Sequence, residues 1–181
     1  MPNFFTHSIS LYVATILIWG STFYAIKLQL GVVGAEVSIV YRFLLASIIL
    51  LLFCLFTKRN LRFSPGQHFF IFLQGLFLFS TNYLLTYWAT GLLTSGVVCL
   101  VFSTVLLMNI VNGTVFMRQS VNIRVALGGV IGVTGIAAVF WSELTALDTN
   151  HSSWRGLWIC LLAAFSASLG GYMRKFALFT V

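Results

Sequence analysis

Amides, hydroxyls and aromatic rings, rather than ionisable groups, are the side chains of this sequence whose spacing could do chemistry. Asn82 and Tyr83 are followed four residues on by Thr86 and Tyr87, two i, i+4 pairs on adjacent stripes of a helix. Thr104, Met108 and Asn112 repeat at i, i+4 and i+8, with Asn109 beside them. Trp19 precedes the small residues Gly20, Ser21 and Thr22, where a bend or a close helix contact is expected, and Tyr24 follows. Such a set binds rather than reacts: amides and hydroxyls orient the polar parts of a small molecule, while rings and Met contact its apolar parts. The expected substrate-binding residues are therefore Trp19, Tyr24, Asn82, Tyr83, Tyr87, Thr104, Met108 and Asn112. For the hydroxyls and amides, the competing use is hydrogen bonding between helices. Reaction chemistry has no comparable set. His7, His68 and His151 stand apart, without metal-ligand spacing or an acid partner for nucleophilic catalysis. No Walker lysine follows Gly128-Gly129, so nucleotide binding is not assigned. Neither an enzyme nor a metal or other cofactor is expected.

The elements that must hold these residues follow from composition. Of 181 residues, 60% are hydrophobic and 7% charged, and mean hydropathy is +1.02; soluble domains run near ~45–50% and ~25%. With only Glu36, Glu143 and Asp148 as acids, charge cannot cover a soluble surface, so the apolar surface must face lipid. A spanning helix needs ~20 mostly apolar residues. Six stretches qualify: about 8–28, 37–56, 69–90, 95–116, 124–142 and 154–173. They are continuously apolar rather than alternating, which predicts an all-α polytopic membrane protein and not a barrel. Span 5 carries Gly128, Gly132 and Gly135, a small-residue face suited to helix packing.

Charge sets the expected orientation. With the N-terminus cytoplasmic, Lys58, Arg59, Arg62, Arg118, Arg124, Arg174 and Lys175 all fall inside, against Lys27 and Arg155 outside. Arg42 lies within span 2. Lys27 and Arg42 sit close enough to helix ends to snorkel to the headgroups, or alternatively to draw an anionic substrate group into an outward-open cavity. A net charge of +7 is spread singly or in pairs between apolar runs, which is not a nucleic-acid footprint. Cys54, Cys99 and Cys160 lie far apart inside apolar runs, as embedded thiols rather than a disulfide framework. No cleavage site follows the first apolar stretch, which is expected to be a mature helix.

Trp19-Gly20-Ser21-Thr22-Phe23 leading to Lys27, Tyr41-Arg42-Phe43, Thr94-Ser95-Gly96 and the glycine-rich span 5 resemble the EamA family of the drug/metabolite transporter superfamily. The resemblance implies two inverted five-helix repeats forming a ten-helix carrier with cytoplasmic termini and a central substrate cavity. Residues 1–142 would be the first repeat and 143–181 the start of the second, since Tyr24-x-x-Lys27 recurs as Tyr172-x-x-Lys175 five spans later. Similar proteins have a proline in the middle of span 4 and an acid after it. Here Ser103-Thr104-Val105 and Arg118 stand there, so the resemblance leaves the span 4 kink and loop contacts open. The implied function is an inner-membrane carrier that exports small organic metabolites or drugs by alternating access, with a small-molecule substrate and the bilayer as its partners. Four helices of the pattern are missing after span 6, so a truncated chain is expected. The missing half would then come from a longer protein or a second copy in a homodimer. The rival expectations are a remnant that transports nothing and a membrane assembly or structural subunit.

Overall fold

A computed structural model describes residues 4–29, 31, 33–118, 120–145 and 151–179, with the backbone alone at 4–7, 117, 143, 174 and 177–179. Asp148 and the side chains of His7, Glu143 and Arg174 therefore lie outside the described residues. The described chain is helical throughout: α1 (Phe4–Gln29), α2 (Ala35–Phe56), α3 (Pro65–Leu92), α4 (Ser95–Ser103 and Val105–Met117), α5 (Ile123–Val139, continued by Trp141–Thr145) and α6 (His151–Phe179). Five of them are long and apolar enough to span a membrane, and the 17 residues Ile123–Val139 form a shorter apolar helix. The protein is polytopic, as expected. The fifth span ends earlier than the expected 142, because at Phe140 the N–H turns to the carbonyls of Ile136 and Ala138 before helix resumes at Trp141.

Local sequence explains the helix starts. Ser64 caps α3 in a reciprocal box: its N–H donates to Gln67 Oε1 (2.8 Å), Gln67 N–H donates back to Ser64 Oγ (3.3 Å), and Pro65 occupies the first turn. Thr94 accepts from Val97 N–H at the start of α4, and Asn122 accepts from Arg124 N–H at the start of α5.

Two irregular turns shape the interior. Span 4 breaks at Thr104 without a proline: Ser103 Oγ and Thr104 Oγ each donate to the carbonyl three residues back, both at 2.6 Å, and Thr104 N–H follows to Val101 O. In α3 the residues Gly75–Thr81 form a wide turn in which Asn82 N–H reaches back five residues to Phe77 O. Loosened carbonyls in lipid need other donors. Asn82 Nδ2 donates to Leu78 O (3.1 Å), and Ser166 Oγ of α6 donates to Phe77 O (2.8 Å).

The core lies along α6, which runs against the length of α3 and both segments of α4. Its buried face is mostly small residues, Gly156, Cys160, Ala163, Ala164, Ser166, Ala167, Ser168 and Gly170, with Tyr172 at the far end. A Cβ on Gly170 would stand 2.8 Å from the backbone nitrogen of Leu78, so glycine is what lets α6 dock on the wide turn. The close contact of α5 with α4 falls at Gly129, whose added Cβ would meet Leu107 at 3.1 Å, whereas Gly128, Gly132 and Gly135 have open space before them. The packing expected of that glycine face is thus not made within the described residues; it moves one register position, to the stripe that faces Leu106 and Leu107. Gly20 also has open space and α1 runs unbroken, because Ser21 and Thr22 donate to the carbonyls of Leu17 and Ile18 without interrupting the helix. The close contact expected at Gly20 is absent.

Candidate functional site

Three of the expected binding residues meet in one cleft. Trp19 from α1 with Asn82 and Tyr83 from α3 line a narrow space, joined by Thr22, Thr86 and Phe102. Phe23 and Phe102 close its α4 side edge-to-face at 5.6 Å. The polar atoms here are already engaged locally, since Thr86 Oγ donates to Asn82 O at 2.8 Å while Asn82 Nδ2 serves Leu78 O. The cleft encloses about 20 Å³. That is room for little more than one water, so a ligand enters only if the helices part.

Beside the cleft, and sharing Ile26 and Tyr83 with it, lies a cluster in which a residue missed by sequence reasoning, Gln29, bonds to side chains of two other helices. Tyr87, 1% exposed, packs with Ile26 and Ile39. Its hydroxyl donates to Gln29 Oε1 at 2.6 Å, and the same oxygen accepts from Arg42 Nη2 at 3.4 Å. The Arg42 guanidinium lies 5.9 Å over the Tyr83 ring, a cation–π distance, and Phe43 meets that ring edge-on at 4.8 Å. Lys27 Nζ reaches Thr90 O at 3.5 Å. Arg42 therefore does face inward, whereas the exposed Lys27 leans on the end of α3. Gln29 was hidden because one glutamine near a helix end has no partner in its own sequence neighbourhood; Tyr87 lies 58 positions away.

The stripe on α4 does not join this cleft. Thr104 lines an apolar groove of about 460 Å³ shared with α5 and α6. Met108 is half-buried one turn further, its N–H donating to Thr104 O at 2.9 Å. Asn112 Nδ2 donates to Ser168 Oγ (2.8 Å), which donates to Asn109 Oδ1 (2.7 Å), and Tyr172 OH donates to Asn109 O. These amides bind α4 to α6, which is the interhelical use weighed against substrate contact. Tyr24 borders a different hollow, beside Gly20, Ser95 and Gly96. The signal for the α6 contacts was present in the run from Ala163 to Gly171, where seven of nine residues are Ala, Ser or Gly. Replacing Asn112 with Leu is expected to weaken the α4–α6 contact by about 1 kcal/mol, readable as a lower unfolding midpoint in detergent. An unchanged midpoint would mean that the network carries no net stability.

No group of three or more His, Cys, Asp or Glu that could hold a metal occurs among the described residues. The cysteines Cys54, Cys99 and Cys160 are free. Residues 7–141 fit the EamA-like transporter family. The chain belongs to that family. Among individual EamA-like relatives, Protein PagO of Salmonella typhimurium (strain LT2) is 22% identical over 147 residues, covering 81% of this chain and 48% of that protein. An uncharacterized transporter of Buchnera aphidicola subsp. Schizaphis graminum is 24% identical over 158 residues, covering 87% of this chain and 52% of its own length. The chain thus spans about half the length of the curated relatives it matches. No solved structure gives a significant match.

Proposed function

We propose that the chain forms one half of an EamA-type carrier that moves small organic metabolites or drugs across the inner membrane, most simply as export by alternating access. The observation that carries this reading is the cleft joining Trp19, Asn82 and Tyr83, aromatic and polar-neutral, with the Gln29 cluster beside it. A carrier needs two opposed units about a central site. Trp19 is 52% exposed on a helix that is otherwise little buried, consistent with a second set of helices completing the wall. That set would be supplied by further chain or by a second copy. The cationic ends of α2, α4 and α6 then face the cytoplasm, as does the N-terminus, and the Gln29 cluster lies toward the outer side.

The test is efflux from cells or vesicles expressing the protein, using a panel of small aromatic and amphiphilic fluorescent solutes. Asn82→Ala or Trp19→Ala should reduce specific flux at least about tenfold, equivalent to about 1.4 kcal/mol of lost binding, with protein level unchanged. Flux that ignores both substitutions would remove this cleft from the transport path. Absence of flux together with partner loss in Gly132→Leu would favour an assembly subunit, a reading supported by the open space before Gly128, Gly132 and Gly135.

A further inference from the structure

The end of the bundle richest in cations holds a cavity that the carrier reading does not use. It measures about 290 Å³ and lies between the second segment of α4, the 120–122 connection, the first turn of α5 and the last turns of α6. Its wall has two characters. Asn109, Thr114, Ser120, Asn122 and Tyr172 supply polar groups, while Leu106, Ile110 and Val125 supply an apolar side. One cation is placed against this wall: Lys175 Nζ stands 5.2 Å over the Tyr172 ring. Exposed Arg118 ends α4 two residues before Ser120, and exposed Arg124 lies in the first turn of α5 two residues after Asn122. That first turn contains no acid to neutralise the positive end of the helix.

We propose that this cavity binds the phosphate headgroup of an anionic phospholipid, of the phosphatidylglycerol type, from the adjoining leaflet. A polar hollow with Lys175 held over one wall residue, and with Arg118 and Arg124 two residues along the chain from two others, resembles the basic pockets between membrane helices that take anionic headgroups. The apolar wall selects a lipid over free phosphate, because it gives the glycerol and first acyl methylenes a dry surface that an inorganic anion could not use. Lys175 is pre-positioned by its contact with Tyr172, which is itself tied to Asn109. Snorkelling cations scattered on a helix surface would lack such a formed hollow. The inference rests on this cavity and its charges and is independent of whether the protein transports anything.

Native mass spectrometry of the purified chain, equilibrated with mixed phosphatidylglycerol and phosphatidylcholine micelles, tests it. One phosphatidylglycerol per chain should be retained in preference to phosphatidylcholine. Lys175→Gln and Arg124→Gln should each lower retention about fivefold, the scale expected for one cation near an anionic headgroup. Arg124→Lys, which keeps the charge, should restore it, and Thr114→Trp should block the site with the charges intact. Lys58→Gln and Arg59→Gln, in the other basic connection on the same side, should leave retention unchanged. Equal losses in Lys58→Gln and Arg59→Gln, equal retention of phosphatidylcholine, or full displacement by inorganic phosphate would each overturn the lipid site. The first of these would indicate general surface attraction and the last a free-anion site.

Discussion

Gly170→Ala is expected to destabilise the bundle, while Gly171→Ala, one residue on, is expected to stabilise it slightly. Intrinsic propensity alone favours alanine at both, by about 0.5–1 kcal/mol in a helix interior. At Gly171 nothing lies within 4 Å of the new methyl, so that gain survives. At Gly170 the methyl would stand 2.7 Å from Leu78 Cβ and 2.8 Å from Leu78 N. Backbone cannot swing aside as a side-chain tip can, so α6 must lift from the wide turn of α3. Overpacking of this kind costs about 1–3 kcal/mol, which exceeds the propensity gain. The separation also threatens the Ser166–Phe77 bond one turn earlier, a second bond to a carbonyl that also accepts from Asn82 N–H. Thermal unfolding in detergent should therefore shift in opposite directions for the two variants. Equal shifts would mean that α6 does not rest on α3 at Leu78. Gly170→Leu should amplify the loss, and Gly171→Leu should not.

Gln29→Leu is the second substitution with a large expected effect. It removes the acceptor of the Tyr87 hydroxyl in a site where that ring is 1% exposed, leaving a donor buried without a partner. Such a group costs about 1–3 kcal/mol, whereas replacing both partners by apolar groups can be nearly neutral. Gln29→Leu combined with Tyr87→Phe should therefore recover most of the stability lost in Gln29→Leu alone. Arg42, half-exposed, can turn to the headgroups when it loses Gln29 and adds little to the deficit. A double variant as unstable as the single one would show that Gln29 acts through packing rather than through this hydrogen bond. If the cluster closes one end of the cleft, Gln29→Leu should also raise the labelling rate of a cysteine placed at Thr86, in a background without Cys54, Cys99 and Cys160.

The helices were legible because lipid imposes a length and a polarity that any sequence must display, and all six expected spans recur as helices with ends shifted by a few residues. Trp19, Asn82 and Tyr83 were picked by residue type, and the structure brings these three to one cleft. What sequence periodicity could not supply was direction. Thr104, Met108 and Asn112 form a correct stripe, but a stripe does not say which neighbour it faces, and Asn112 turns to Ser168 on α6. The same ambiguity placed the glycine contact of α5 on Gly128, Gly132 and Gly135, when the tight position is Gly129. The wide turn at Gly75–Thr81 left no composition signal, because its loosened carbonyls are satisfied by one residue of its own helix and one from a helix far along the chain. The break at Thr104 was unreadable because Ser and Thr hydroxyls bonding back to carbonyls occur in unbroken helices too, as at Ser21 and Thr22.

Because α6 supplies the face against which α3 and α4 close, the order of biogenesis matters. Five hydrophobic segments leave the ribosome and enter the bilayer before the segment that organises them is made. Until His151–Phe179 arrives, Asn109 and Asn112 have no Ser168, and Phe77 O has no Ser166, so α3 and α4 lack the partner that holds most of their buried polar side chains, although the Gln29 cluster already links α1, α2 and α3. A nascent chain released before residue 151 should thus be integrated yet only partly assembled, a ready substrate for membrane quality-control proteases, and the 29 residues of His151–Phe179 should convert it into a better protected bundle.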